Sequence, residues 1–284
     1  MAQFTNQAQL SYNNATVNSN VAVGEVLEVL AANKIAVMTT YTPGGDITYV
    51  ISAVNSGTTP ISGITVTDNL GAYTFGETTL YPLTYKDGSV RLYINGVLQA
   101  APTAVAGPPL VVSGITLPAN SNMVLVYEAN VNSFAPLGEG DSIVNTATVT
   151  GNGISTPITV TETVTPATEA MLDITKSISP VPVAENGVVT YTFVIRNSGN
   201  TPADATANVT LTDTFNPILS GLTVLLDGTA LAEGTGYTYS ITEGDFATVP
   251  GVITVPAATY TQDPVSGVWS VTPGTTVLTV TGTI

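Results

Sequence analysis

The chain has 284 residues, enough for about two domains of ordinary size. Five Lys and Arg against twenty Asp and Glu give a formal net charge of −15, which excludes the basic surface that binds nucleic acid or an anionic membrane. The chain has no Cys and no His, so it lacks disulfides, thiol nucleophiles, zinc–thiolate sites and the commonest general base. We therefore expect no enzyme, no cofactor and no metal site.

The first residues, MAQFTNQ, carry neither the basic nor the apolar segment of a secretory signal, and no apolar run is long enough to span a membrane. We therefore expect either that a leader was removed or that export follows another route. Only 9% of the residues are charged, which suggests a surface that is buried in an assembly. Such a chain suits an extracellular material at a cell or spore surface, although the absence of Cys is equally compatible with the cytoplasm.

Apolar and polar residues alternate along most of the chain, which is the pattern of β-strands. In chain order, residues 4–10 and 21–27 predict two strands, residues 47–51 (ITYVI) and 64–68 (ITVTD) predict two more, and no segment has a convincing helical period. Asn95-Gly96 and Asp227-Gly228 lie between apolar runs and predict hairpin turns. The fold class is therefore all-β, with β-sandwich architecture.

An internal repeat divides the chain into two copies of one domain. Lys34 matches Lys176, and Tyr49 matches Tyr191, each pair being 142 residues apart. Asp68 matches Asp213 after a three-residue insertion. We predict a complete domain over residues 28–166 and a second domain over residues 167–284.

The repeated motifs resemble a known family. They are a Lys on the first strand, residues 49–57 (YVISAVNSG), residues 64–68 (ITVTD) and residues 145–149 (NTATV). Both copies are similar to the Ig-like "conserved repeat domain" of unknown function, number eleven of that series, from bacterial and archaeal surface proteins. The resemblance implies two tandem Ig-like β-sandwich domains and a surface location, but no chemistry.

The second copy ends at Ile284, opposite Val131, and lacks the last two strands of the first copy, residues 143–149 and 158–164. Their sequence pattern recurs at residues 4–10 and 21–27. We therefore predict that residues 1–27 form an amino-terminal hairpin that completes the carboxy-terminal domain of another copy, as in donor-strand complementation. Such a head-to-tail contact does not close and builds a filament of identical subunits.

Strand parity predicts which side chains the hairpin would bury and which strand would receive them. The inward set of the hairpin is Phe4, Ala8, Leu10, Tyr12, Val21, Val23 and Leu27. The predicted acceptor strand carries Val277, Leu278, Val280 and Ile284. The alternatives are that the chain is a cut piece of a longer array, or that it is a fragment of a surface adhesin, a binding module whose loops recognise an unknown surface ligand.

The same parity places polar residues among the inward apolar ones. In the first domain these are Lys34, Asn145, Asp68 and Glu162, and their matches are Lys176, Asp213 and, on the hairpin, Asn6 and Glu25. A buried neutral Lys amine, an Asn amide and a protonated carboxylic acid are the ingredients of an isopeptide bond. We predict Lys34 to pair with Asn145, and Lys176 with Asn6 of the next subunit. The alternatives are a hydrogen-bonded ion pair between lysine and carboxylate, or a lysine whose stem is packed and whose amine reaches solvent.

Overall fold

The computed structural model describes residues 2–284, which are built almost entirely of β-strands with one 3₁₀ turn, Ala205–Ala207. The described residues contain no α-helix. The chain divides into two compact units: residues up to 136 together with 142–165, and residues 137–141 together with 166–284. No helix of the described residues is long and apolar enough to cross a membrane.

The amino-terminal hairpin contains four short strands. They are β1 (Ala2–Asn6), β2 (Gln9–Tyr12), β3 (Ala15–Asn18) and β4 (Ala22–Val26). Strand β1 pairs with β4 and β2 with β3, both antiparallel, and within residues 2–284 these strands pair with no others. Its tip is a two-residue turn at Asn13 and Asn14, whose φ angles of 45° and 64° are left-handed, the conformation that a tight hairpin turn requires.

The first domain holds fourteen strands. They are β5 (Leu30–Ala36), β6 (Thr40–Tyr41), β7 (Asp46–Asn55), β8 (Ile61–Asp68), β9 (Tyr73–Phe75), β10 (Thr78–Leu80), β11 (Leu83–Tyr85), β12 (Arg91–Ile94), β13 (Val97–Leu98), β14 (Thr103–Val105), β15 (Leu110–Leu117), β16 (Ser121–Val131), β17 (Ile143–Thr150) and β18 (Ile158–Pro166). One sheet has the order β13-β12-β16-β7-β5, with β11 also paired to β16. The other has the order β14-β15-β8-β17-β18-β6, and β9 and β10 form a separate ribbon.

Alternating burial along the strands builds the core between these two sheets. On β7, Ile47, Tyr49, Ile51 and Ala53 are buried, while the residues between them face away from the core. On β17 the buried row is Ile143, Asn145, Ala147 and Val149. Because strands alternate their side chains between two faces, each sheet contributes one row per strand to a single core.

The second domain holds ten strands. They are β19 (Leu172–Ser179), β20 (Val188–Asn197), β21 (Thr212–Thr214), β22 (Ser220–Leu226), β23 (Thr229–Leu231), β24 (Tyr237–Tyr239), β25 (Asp245–Thr248), β26 (Thr259–Gln262), β27 (Trp269–Thr272) and β28 (Gly274–Thr283). Its larger sheet has the order β19-β20-β28-β22-β23, and β21, β25 and β24 form a smaller one. The core centres on Phe193, Phe215, Phe246, Leu278 and Val280.

The predicted fold class is confirmed. The larger sheet of the second domain repeats the order of the first domain's β5, β7, β16, β12 and β13, and β21 with Asp213 corresponds to β8 with Asp68. Within residues 166–284, no strand takes the places of β17 and β18. The second domain is therefore a sandwich in which one sheet lacks the strands that lie beside β8 in the first domain.

Candidate functional site

A buried polar cluster joins the two sheets of the first domain. Lys34 on β5 lies with its Nζ 2.6 Å from Oδ2 of Asp68 on β8 of the opposite sheet. The Tyr127 hydroxyl on β16 donates to the same oxygen at 2.6 Å, and the Leu70 backbone N–H donates to Oδ1 at 2.9 Å. Lys34 and Asp68 are 2% and 1% exposed. Asp68 thus accepts three hydrogen bonds at a site that excludes water.

Asn145 on β17 extends the cluster. Its side chain is fully buried, and Nδ2 donates to the Tyr127 hydroxyl at 3.3 Å. In the ladder Asn145 lies opposite Glu162 of β18. Asn145 Oδ1, which is also buried, makes no hydrogen bond among the described residues. The amide of Asn145 therefore lies inside the same buried cluster as Lys34 and Asp68.

Burial decides the electrostatics of this cluster. It lowers the pKa of the Lys34 amine, and the Asp68 and Glu162 carboxylates oppose that effect. Burial also raises the pKa values of the Tyr49 and Tyr127 hydroxyls. Both tyrosines therefore stay neutral, and Tyr127 can donate to Asp68 while it accepts from Asn145. The Tyr49 ring stacks on Tyr127 with centroids 5.5 Å apart and lies 4.8 Å from Lys34 Nζ.

The two tyrosines offer a matched pair of substitutions. Tyr127→Phe removes a donor to Asp68 and the acceptor of Asn145, so we expect it to lower the free energy of unfolding by about 2 kcal/mol. Tyr49→Phe keeps the stacked ring and removes a hydroxyl that does not bond to Asp68, so we expect a smaller loss of about 1 kcal/mol or less. Urea unfolding of the full chain measures both. Equal effects would mean that Tyr127 contributes only packing.

The matching lysine of the second domain is uncovered. Lys176 Nζ lies 2.5 Å from Asp213 Oδ2 and over the rings of Tyr191, Phe193 and Phe215, yet 41% of the Lys176 side chain is exposed. Val280 stands where the first domain has Tyr127, so this site lacks the bridging hydroxyl. Within residues 166–284, no asparagine takes the place of Asn145 beside Lys176.

The apolar residues that flank Lys176 are exposed in the same way. Leu172 is 41% and Ile178 is 42% exposed, whereas Leu30 and Ala36, at the matching positions of β5, are each 8% exposed. Ile174 lies on the same face and is 54% exposed. We call this surface the acceptor groove; it comprises Leu172, Ile174, Lys176 and Ile178 of β19 together with Asp213 of β21. In the first domain, β17 carries the buried Asn145 that meets the cluster around Lys34.

The prediction of the acceptor strand was wrong. Strand β28, which carries Val277, Leu278 and Val280, pairs with β20 on one side and β22 on the other, so it has no free edge for a donor. Ile284 follows the end of that strand and donates its backbone N–H to Gly187. A free edge at the position where β8 meets β17 in the first domain belongs to β21, which pairs with β25 on one side only among the described residues.

The amino-terminal hairpin exposes the apolar residues predicted to face inward. Phe4, Leu10, Tyr12, Val21, Val23 and Leu27 are all more than half exposed, and Ala8 is also exposed. Val17 at 51% joins them and was missed, because it falls within the stretch that the repeat comparison assigned to the turn. Asn6 lies opposite Ala22, and Glu25 lies opposite Gln3. The structure therefore places Asn6 and Glu25 on opposite faces of the hairpin, although the repeat comparison predicts one face.

Tyr49 and Tyr127 are the cluster residues that sequence reasoning missed. Both occupy inward positions of adjacent strands, in rows that are otherwise aliphatic, and Tyr127 pairs directly with Tyr49. A hydroxyl in an apolar row needs a polar partner when it is buried, and that signal was available.

Among the described residues, no group of three or more Asp and Glu side chains could hold a metal ion.

No protein-family model matches the chain, and no curated protein matches it. Among solved structures it is similar to the pilus backbone RrgB from Streptococcus pneumoniae, with 11% identity over 86% of this chain and 55% of that one and a TM-score of 0.35. It is also similar to BcpA, the major pilin subunit of Bacillus cereus, with 12% identity over 96% and 73% of the chains and a TM-score of 0.37. The collagen-binding domain of a Staphylococcus aureus adhesin has 10% identity over 49% and 99%, with a TM-score of 0.30. The chain spans about half the length of the pneumococcal protein, and these likenesses are too remote to transfer a function.

Proposed function

We propose that this chain is the structural subunit of an extracellular filament, in which the amino-terminal hairpin of one copy fills the acceptor groove of the next. One observation carries the proposal: the lysine–aspartate pair of the first domain is buried, whereas the matching pair of the second domain is exposed to solvent. In the first domain the strands beside β8 form a hairpin, β17–β18, and residues 4–10 and 21–27 share the residue pattern of that hairpin.

The two surfaces complement each other in chemistry. The hairpin offers apolar side chains and the groove offers exposed apolar residues beside an open strand edge. Burying about six large side chains at about 1.5–3 kcal/mol each gives on the order of 10 kcal/mol before the costs of association. Ladder bonds from the hairpin to β21 would add directionality. Such a contact between different surfaces of identical subunits propagates as a filament.

The proposal has a covalent part. Lys34 would form an amide with Asn145 inside each first domain, and Lys176 would form one with Asn6 of the docked hairpin. In each reaction the neutral amine attacks the side-chain amide carbon, the new C–N bond replaces the bond to Nδ2, and ammonia leaves. A neighbouring carboxyl, Asp68 or Glu162 in the first domain and Asp213 or Glu25 at the joint, would transfer the proton. The lowered pKa of Lys34 and the unpartnered Asn145 Oδ1 support the first bond.

Negative-stain electron microscopy tests assembly directly. The full chain should form filaments, and a chain that lacks residues 2–27 should remain monomeric at the same concentration. Adjacent residues of β19 supply a matched pair of variants: Ile174→Asp places a charge in the acceptor groove, whereas Thr175→Asp places one on the other face of β19. We expect the first to abolish filaments and the second to leave them intact.

Monodisperse monomers from the full chain would overturn the proposal. Filaments from the chain that lacks residues 2–27 would also overturn it, because the hairpin would then not be the donor. The resemblance to the conserved repeat domain family remains a prediction, and it agrees with a surface location without adding a mechanism.

A further inference from the structure

The free hairpin carries its two apolar rows on opposite faces. In an antiparallel ladder, residues directly opposite each other point to the same side. Phe4 lies opposite Gly24, and its ring covers that glycine so closely that a Cβ there would lie 2.3 Å from the ring. Val23 lies opposite Thr5. The row that begins with Phe4 and the row that contains Val23 therefore face in different directions.

The matching strands of the first domain are paired differently. Asn145 lies opposite Glu162, and Val149 lies opposite Ile158. The sequence comparison matches Asn6 to Asn145 and Glu25 to Glu162. A hairpin that copied this pairing would place Asn6 opposite Glu25. In the free subunit Asn6 lies opposite Ala22, so the partner of Asn6 would change by three residues along β4.

This difference decides how much apolar surface docking can bury. Shifting one strand by an odd number of residues moves all its side chains to the other face. In the free pairing, whichever face met the groove would leave either Phe4 or Val23 in water, and both are now more than half exposed. In the shifted pairing both rows face the groove together.

We propose that the hairpin docks in the shifted register, with Asn6 opposite Glu25, and that the register of the free subunit is a resting state. This inference rests on the proposed function. Docking then requires one strand to slide by three residues past the other. Leu10 comes to lie opposite Val21, and residues 11–20 become the connection, where the first domain uses residues 150–157.

Nine paired positions hold the resting register, five between β1 and β4 and four between β2 and β3, and the side-chain bonds across it are exposed. In the shifted register a ladder between residues 4–10 and 21–27 would replace these pairs. Gln3 Nε2 donates to Glu25 Oε1 at 3.1 Å, and Gln9 Nε2 donates to Asn18 Oδ1 at 3.0 Å. The pairing already changes by one residue between the two halves of the hairpin, because Leu10 lies opposite Val17 while Asn6 lies opposite Ala22. Exposed side-chain hydrogen bonds are worth little in water, so the burial of both apolar rows can outweigh them.

Engineered disulfides can lock either register, because the chain has no cysteine of its own. Ala2→Cys with Val26→Cys joins residues that are paired in the free subunit, and Thr5→Cys with Val26→Cys joins residues that would be paired in the shifted register. None of these three residues belongs to the inward set of the hairpin. Cross-strand partners lie within the Cα separation that a disulfide spans. Each full-length protein is refolded under oxidising conditions, the bond is verified by mass, and filaments are counted before and after reduction.

We expect the oxidised 5–26 protein to form filaments and the oxidised 2–26 protein to lose filament formation, which reduction restores. The reduced proteins control for the substitutions themselves. If the oxidised 2–26 protein assembles as well as its reduced form, or if the 5–26 lock prevents assembly, the shifted register is overturned and the proposed function stands. If reduced and unsubstituted chains also fail to assemble, the proposed function itself fails.

Discussion

Asp68→Ala should destabilise the first domain by about 3–5 kcal/mol, because it leaves the Lys34 ammonium buried without its carboxylate partner. The matched variant, Asp213→Ala, should change the free subunit by less than about 1 kcal/mol, because Lys176 is exposed enough to be solvated by water. Hydrogen exchange followed by mass spectrometry on the full chain separates the two domains. Faster exchange should appear in residues 28–165 of the first variant only.

The defect of Asp68→Ala should depend on pH. Burial already lowers the pKa of Lys34, and loss of Asp68 removes the main opposing interaction. Between the folded pKa of Lys34 and its value of about 10.5 in the unfolded chain, the unfolded state binds more protons, so stability rises with pH. The free energy of unfolding of the variant should therefore be lower at neutral pH and rise towards pH 10. A defect that does not vary with pH would show that Lys34 binds its proton equally in the folded and unfolded variant, so that burial does not lower its pKa there.

An intact subunit should weigh less than its sequence by one ammonia if Lys34 and Asn145 are joined. Filaments joined through Lys176 and Asn6 should lose a second ammonia per joint and remain as a ladder in boiling detergent. Lys34→Arg should abolish the first loss of ammonia, so that the variant has its full calculated mass. Lys176→Arg should abolish the ladder. Lys86→Arg is the control, because Lys86 is half exposed and pairs with Asp46 and Glu128 at the surface.

The opposite result has an equally definite meaning. A subunit of full calculated mass, whose filaments dissolve to monomers in boiling detergent, would leave Lys34 and Asp68 as a buried ion pair. In that case the cluster would contribute specificity rather than covalent strength, since buried ion pairs are often no more stable than apolar replacements. The hairpin and the acceptor groove would then hold the filament without covalent bonds.

Side-chain alternation was enough to predict where Lys34, Asp68 and Asn145 point. Each lies in a row of apolar neighbours on its strand, and the two-residue period of a strand leaves no other face for it. The internal repeat predicted which strands the second domain lacks, because Asn145 and Glu162 of β17 and β18 have counterparts at Asn6 and Glu25 of the hairpin. Local pattern therefore specified the sandwich and most of its polar core.

Strand neighbours were harder to predict, because they depend on contacts between distant segments. Val280 lies on the last strand of the chain, β28, yet that strand lies in the middle of its sheet. The edge that corresponds to the place of β17 belongs to β21 around Asp213. The register of the hairpin escaped prediction because the tip at Asn13 and Asn14 forms a tight turn that the repeat comparison overlooked. Two adjacent asparagines tolerate left-handed φ angles, so the signal was present in the sequence.

The open edge of β21 and the exposed hairpin belong to different ends of the assembly that they would build. Every filament would have a polarity: one tip would present a vacant groove and the other an unpaired hairpin. Growth and capping at the two tips would therefore be chemically independent. A chain that lacks residues 2–27 could neither donate nor elongate, and it would cap only the tip that offers a hairpin, so small amounts of it should shorten filaments from one end.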